Sequence, residues 1–480
     1  MLFHDENTNE GIEYVMEEIN KYVPCSGDEE EKAYLMSQGV VGDQLSIERG
    51  INHLLQVANG LNPEERKEGL HMEIADFHAQ MKFLQVAFDY FYHPGATSDQ
   101  CTLFSDRNLI NRRNVVEEVK HKFSACKQFF SMEIEARVVA AALNILEMNT
   151  IDDKPAENFM PPSLETASLA TKREFLKDLS SRIVDKFILH EDKVNTLIKH
   201  LENNKGSSDS NGRYPCRYPG CTKTFSHDGK RRISHEKTHG LHEQTSQSTL
   251  HNDTSIASKN RDDMLNYQYA LLEYGMLFLN FCDALSEGDG ERIIRCWKFF
   301  LLFLKNDGQR GCKYALEGLT ILCQIYALLS PKDAHRLIWN RSVKAKYGLG
   351  GNIPLDLALE HYNRVLKEVI KKMGPNASSE KAANRFCKSI TVTKQLMDNF
   401  DQDCTLFRRS GHHVKKRDIK DLQKVVGELV KCDAFTEQSN RKYKKFAIIP
   451  PSLLDKFDLQ SMFKWLNEHK KSIFLHKTAR

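Results

Sequence analysis

Cys216, Cys221, His235 and His239 lie within two dozen residues of a 480-residue chain, and no other feature restricts its folding as much. Cys216 and Cys221 flank an Arg-Tyr-Pro-Gly knuckle able to turn a hairpin, and a helix through 230–239 puts His235 and His239 one turn apart on one face. Two thiolates and two imidazoles so spaced form a donor set for one tetrahedral Zn²⁺. A module of roughly 30 residues buries too little apolar surface to fold alone, so the metal must supply its folding free energy. Tyr214 and Phe225 are its expected core. Residues 203–212 and 241–262, rich in Ser, Asn, Gly and Thr, read as flexible linkers around this island. Four unrelated residues in a linker is the alternative, and ligand order, Phe225 and this isolation argue against it.

The pattern resembles the Cys2His2 zinc-finger family over residues 214–240, which implies a ββα module around one structural Zn²⁺. Thirteen residues separate Cys221 from His235 where the family has twelve, with Asp228-Gly229 the expected site of the extra residue. Arg232 stands where the family has Leu, with Ile233 beside it as the core substitute. Residues 211–240 hold seven Lys/Arg against Asp228 and Glu236, a cluster that attracts phosphate. Lys230, Arg231, Arg232 and Lys237 on the expected helix are the candidate nucleic-acid contacts. One finger spans only about three base pairs. The expected partner is therefore DNA or RNA held weakly, mainly through phosphates, with protein the other candidate if the finger only braces a loop.

Formal charge is +3, too small to drive bulk nucleic-acid binding, but residues 1–80 carry 17 acids against five Lys/Arg and residues 401–480 carry 18 Lys/Arg against ten acids. Twelve cysteines in 480 residues fall far below disulfide-scaffold density and suggest a reducing compartment. No basic and apolar leader opens the chain, and the apolar runs fall short of the roughly 18 residues of a membrane span. The expectation is a soluble intracellular protein without membrane partners, nuclear if the basic stretch 408–445 is an import signal and otherwise cytoplasmic.

Apolar residues recur at three and four from Phe77 onward, over 115–130, 132–148 and 171–201, and again over 264–285, 292–304 and 313–329. Ser330-Pro-Lys-Asp333 opens a further helix with a capping-box-like start, and helices follow at 355–373 and 380–400. The predicted fold is mainly α, with a small α/β element near the N-terminus and one ββα finger on flexible linkers. Its expected divisions are an α/β element at 1–95, helical regions at 96–202 and 263–400, linkers at 203–212 and 241–262 around the finger at 213–240, and a basic region at 401–480. Trp339 and the stripe Leu355, Leu359, Tyr362, Leu366 and Val369 are expected in the core.

Near the N-terminus, an apolar run ending in Gly42-Asp43, an amphipathic 47–59 and a second run through 70–76 read as strand, helix and strand. A parallel pair so connected puts Asp43 and Asp76 at the carboxyl ends of its strands, where α/β sites are built. Asp43 is equally read as the cap of the following helix, Glu360 as half of a surface pair with Arg364, and His78 as a helix-start residue. The motif order resembles the ribonuclease-H-like transposases, and the stretches 42–49, 76–84 and 330–335 are similar to a multicopy, transposon-like family of unknown function whose members often carry a finger. The resemblance implies that Asp43 and Glu360 are acids of a Mg²⁺ site, brought together across a long helical insertion, and that the partial ribonuclease-H-like element, with no first acid upstream of Asp43, is an amino-terminally truncated relic without catalysis. Three readings follow: a transposon-derived protein binding zinc and nucleic acid without catalysis; a Mg²⁺-dependent transposase or nuclease; and a protein-interaction module with a structural finger.

Overall fold

The structure is a computed structural model that describes residues 4, 8–27, 33–155, 164–189, 213–239 apart from 217 and 227–229, 261–306, 312–373, isolated positions between 379 and 399, and 418–478 apart from 456. The chain is mainly helical with small two-stranded sheets. In order it forms α1 (Asn9–Asn20), β1 (Cys25–Ser26), β2 (Ala33–Tyr34), β3 (Gln38–Gly42), α2 (Gln44–Gln56), β4 (Leu70–Ile74), α3 (Asp76–Phe91), α4 (Leu103–Leu109), α5 (Phe123–Ile145) and α6 (Leu169–Phe187). The finger follows as β5 (Tyr214–Pro215), β6 (Thr224–Phe225) and α7 (Lys230–Thr238). Then come α8 (Asp263–Glu287), α9 (Gly290–Asn306), α10 (Cys312–Cys323), α11 (Pro331–Trp339), β7 (Ser342–Lys344), β8 (Asn352–Pro354), α12 (Leu355–Met373), α13 (Asp418–Lys431) and α14 (Leu459–Thr478).

The expected strand–helix–strand unit is present. β3 and β4 pair in parallel from Gln38↔Leu70 to Gly42↔Ile74, and every residue of β4 is buried. A strand covered on both faces needs packing on each side. One contribution comes from α2, where Gly50 lets the Met72 side chain approach; a Cβ there would lie 2.2 Å from its terminal carbon. Helix α12 packs against β3 and α3.

Aromatic side chains from helices far apart in sequence fill the main core. Phe83 on α3 stacks on Phe300 of α9 at 3.9 Å and meets Phe281 and Trp297 edge-on. Tyr267 and Tyr274 of α8 are buried with their hydroxyls donating to the Phe91 and Phe83 carbonyls at 2.6 and 2.7 Å, so neither leaves a polar atom unmet. Gly275 on α8 lets Ile134 of α5 close in, with its Cδ1 2.2 Å from where a Cβ would stand. Beneath these rings Arg137 is wholly buried and donates to Glu133, Asp106, Gln268 and the Cys101 carbonyl.

Several expectations change. Residues 123–145 form one unbroken helix, with a short 3₁₀ turn at Val119–His121 in place of its expected start. The C-terminal end is part of the body: α13 packs on α5, burying Val425, Val426 and Leu429, and Arg112 pairs with Asp421 at 2.8 Å. Asp262, expected in a linker, caps α8 and binds Arg441 at 2.5 Å, so part of the basic 441–445 stretch is anchored. Trp339 is 41% exposed, Leu359 53% and Tyr362 37%, so Trp339 and the middle of the expected core stripe face out, Leu355 and Leu366 are half-buried, and the side chain of Val369 lies outside the described residues. Its period fixes which residues share a face but not what covers that face. Residues 203–212, 241–260, 400–417 and most of 380–400 lie outside the described residues.

Candidate metal centre

The finger's local sequence builds its geometry. Tyr214 pairs with Phe225 and Pro215 with Thr224 across β5 and β6. The knuckle closes through Cys216 N–H to the Lys223 carbonyl at 2.8 Å and Cys221 N–H to the Tyr218 carbonyl at 3.1 Å. Gly220 takes φ of 88°, a left-handed conformation that suits glycine. The four ligand atoms of Cys216, Cys221, His235 and His239 lie within 4.8 Å of one another. Cys221 Sγ is 3.3 Å from His235 Nε2, which is 3.0 Å from His239 Nε2. A tetrahedral ion with bonds of 2.0–2.3 Å separates its ligand atoms by roughly 3.3–3.8 Å, so the donor set and its spacing fit a metal ion. Burial pushes the Cys216 thiol up and His235 down; for His235 the facing His239 adds to it. A bound cation favours the thiolate and the neutral imidazole, the forms that ligate.

The candidate phosphate contacts divide. Arg231 and Lys237 are exposed, as are Arg213 and Lys223. Arg232 is turned inward at 2% exposure, its Nε donating to Glu236 at 3.0 Å and its guanidinium 6.0 Å from the Tyr214 ring. It occupies the core position its sequence alignment with the family's Leu suggests, and its stem supplies apolar contact. The side chains of Lys230 and Ile233, and residues 228 and 229, lie outside the described residues.

The second set of candidate residues lies at the carboxyl edge of β3 and β4. Asp43 caps α2, accepting from Ser46 N–H at 2.8 Å. Asp76 is 2% exposed and accepts from Arg341 Nε at 2.6 Å, Arg341 Nη2 at 2.9 Å and Trp297 Nε1 at 3.0 Å, so this acid is neutralised inside the fold and is no open magnesium ligand. Asp356, which the sequence did not single out, accepts from Phe77 and His78 N–H at 3.1 and 3.0 Å and contacts His78 Nδ1 at 2.9 Å. It replaces the side-chain cap that α3 lacks at Ala75. Its hydrogen bond raises His78 above the usual histidine range, burial opposes it, and the charges of Asp356, Asp43 and Glu360 add to the rise. Glu360 itself is exposed on α12. Close by on α10, burial and the Glu48 carboxylate raise Glu317 to about 7. Among the described residues, the four finger residues form the only cluster of three or more His, Cys, Asp or Glu side chains tight enough for one metal ion.

No described helix is long and apolar enough to cross a membrane. Residues 1–413 match the model of a family described as a family of unknown function (DUF6589). No curated protein and no solved structure matches the chain.

Proposed function

The chain belongs to the DUF6589 family, and from that premise we propose that it is a zinc- and nucleic-acid-binding protein of transposon descent, nuclear, without cutting activity of its own. The convergence of Cys216, Cys221, His235 and His239 carries the reading. Two thiolates and two imidazoles with no open position suit a structural Zn²⁺. Arg213, Lys223, Arg231 and Lys237 are exposed on the same small module, and phosphate is the ligand that complements such a cluster. Transposon descent rests on the order of motifs, from Asp43 after β3, through Asp76-Phe77-His78 at the start of α3, to Glu360 on α12. Loss of cutting rests on the roles Asp76 and Asp356 have in holding the fold.

One observation favours a second reading, a Mg²⁺-dependent transposase or nuclease: the charges of Asp43, Asp356 and Glu360 all bear on His78. Native mass spectrometry should find one Zn²⁺ per chain, lost in Cys216→Ser. Fluorescence anisotropy should then show DNA and RNA binding that falls steeply with salt. Arg231→Ala with Lys237→Ala should weaken every sequence alike and lower the salt slope by about two. Zinc binding without nucleic-acid binding at low salt would instead support a finger that serves protein contacts. Mg²⁺-dependent nicking of DNA that disappears in Asp43→Asn and Glu360→Gln would establish the second reading.

A further inference from the structure

We propose that Cys101 and Cys432 are a redox-active dithiol that closes to a disulfide and staples α13 to the segment leading into α4. The two thiols come from positions 331 residues apart and converge on the last turn of α13. Cys101 Sγ donates to the Glu428 carbonyl at 3.9 Å, and Cys432 Sγ reaches Glu428 Oε1 at 3.7 Å and Gln100 Oε1 at 3.8 Å. Gathered about Glu428, the two thiols act on each other: Cys101 lowers Cys432, and Cys432 together with burial pushes Cys101 up.

Cys101 is held in place by its backbone. Its carbonyl accepts from Arg137 Nη2 at 3.1 Å and from Gln268 Nε2 at 3.0 Å, both buried. Its φ of 58° is left-handed, a conformation that glycine or asparagine adopts with less strain than cysteine. A fixed, fully buried thiol therefore faces a second thiol on a partly exposed helix end. That asymmetry assigns the order of events. Solvent reaches Cys432, whose thiolate attacks a low-molecular-weight disulfide such as oxidised glutathione, forming a mixed disulfide and releasing one glutathione thiolate. Cys101 then attacks the Cys432 sulfur and displaces the second glutathione, its proton leaving on that glutathione as the thiol. Two protein thiols lose two electrons and two protons in total, and one glutathione disulfide becomes two thiols.

Elsewhere in the body Cys126 donates to the Val116 carbonyl and Cys282 accepts from Gln80. The finger thiols Cys216 and Cys221 are also close, and bound zinc would keep them from the same chemistry, so the test is made on the zinc-loaded full chain. The protein is equilibrated in buffers of reduced and oxidised glutathione, alkylated in acid, digested and mapped by mass spectrometry, with released zinc followed by a chromogenic chelator. The expected product is a peptide pair linked through Cys101 and Cys432 before zinc is released. Thermal melting should rise by several degrees in the oxidised wild type and stay unchanged in Cys432→Ser under the same treatment. The proposal is overturned if both residues remain alkylatable after zinc begins to leave, if Cys432 stops at the mixed disulfide with glutathione, or if either residue links elsewhere.

Discussion

Replacing Arg341 with Met should be among the most damaging single changes in the body of the protein. Arg341 is 5% exposed at the start of the β7–β8 hairpin, and its guanidinium ties α3 to β4. Two of its donors hold Asp76 at the start of α3, and Nη2 also reaches the Ile74 carbonyl at the end of β4 at 2.9 Å. Trp297 of α9 completes the coordination of Asp76. Met keeps much of the volume but removes both charge-assisted bonds to a carboxylate that is 2% exposed, leaving it one neutral donor. Stranding one member of a buried pair costs about 3–5 kcal/mol. Asp76→Asn in the same chain removes the stranded charge, so the double variant should recover at least about 1 kcal/mol of that loss. Urea denaturation followed by far-ultraviolet circular dichroism at pH 7 measures both. The reasoning is refuted if Arg341→Met lies within about 1 kcal/mol of wild type with an unchanged denaturant slope, or if the double variant is less stable than Arg341→Met alone.

Three further outcomes are expected. Because the folded pKa of His78 is raised, its ion pair with Asp356 contributes fully below the ordinary histidine pKa of about 6.5 and is lost as pH rises through the higher folded value. His78→Gln should therefore lower the urea midpoint at pH 6 and approach wild type at pH 8.5, and a histidine NMR titration should place His78 above its ordinary value. Glu317, pushed up to about 7, is favoured in its protonated form by folding, so wild type should lose stability between pH 5 and 8; Glu317→Gln should remove that loss, on the order of 1–3 kcal/mol at pH 8. Chelating zinc should release the ββα module while the body keeps its melting transition; a single joint transition that shifts with chelator would contradict an independent module.

What the sequence disclosed followed the range of each interaction. The finger was readable because its ligands, knuckle and helix are local, and two-residue strands close on each other within a dozen positions. β3 and β4 were readable because their apolar runs end at Gly42-Asp43 and at Asp76, and Asp43 does cap α2. The Arg341–Asp76–Trp297 cluster spans up to 265 positions, and the Asp356 cap on α3 spans 278 or more. No periodic pattern marks such partners. A usable signal was present at Asp356: an acid at the second position of an amphipathic helix that follows Pro354, where helix starts concentrate carboxylates. The inward turn of Arg232 had a signal too, since a polar residue at an apolar position with Glu236 four residues on invites a buried pair.

The acidic edge shows why a shared neighbourhood does not by itself make a hard-cation site. Asp76 is satisfied by a guanidinium and an indole, Asp356 by two helix N–H groups and His78, and Asp43 by the first turn of α2. A magnesium ion bound through two of these carboxylates would take oxygen ligands at 2.0–2.1 Å and compete with bonds that hold helix starts in place. Uncapping a helix costs about 1 kcal/mol and uncovering a buried guanidinium several. Asp43 can share its second oxygen at small cost, and exposed Glu360 can turn toward it, whereas Asp76 can join only by abandoning Arg341. Adding Mg²⁺ to the wild type should therefore give weak binding that Asp43→Asn and Glu360→Gln each abolish. Arg341→Met should tighten it if the freed Asp76 reaches the edge. Submicromolar Mg²⁺ affinity in the wild type, measured by isothermal titration calorimetry, would show that these acids serve the ion before the fold and would reverse the order of roles argued for them.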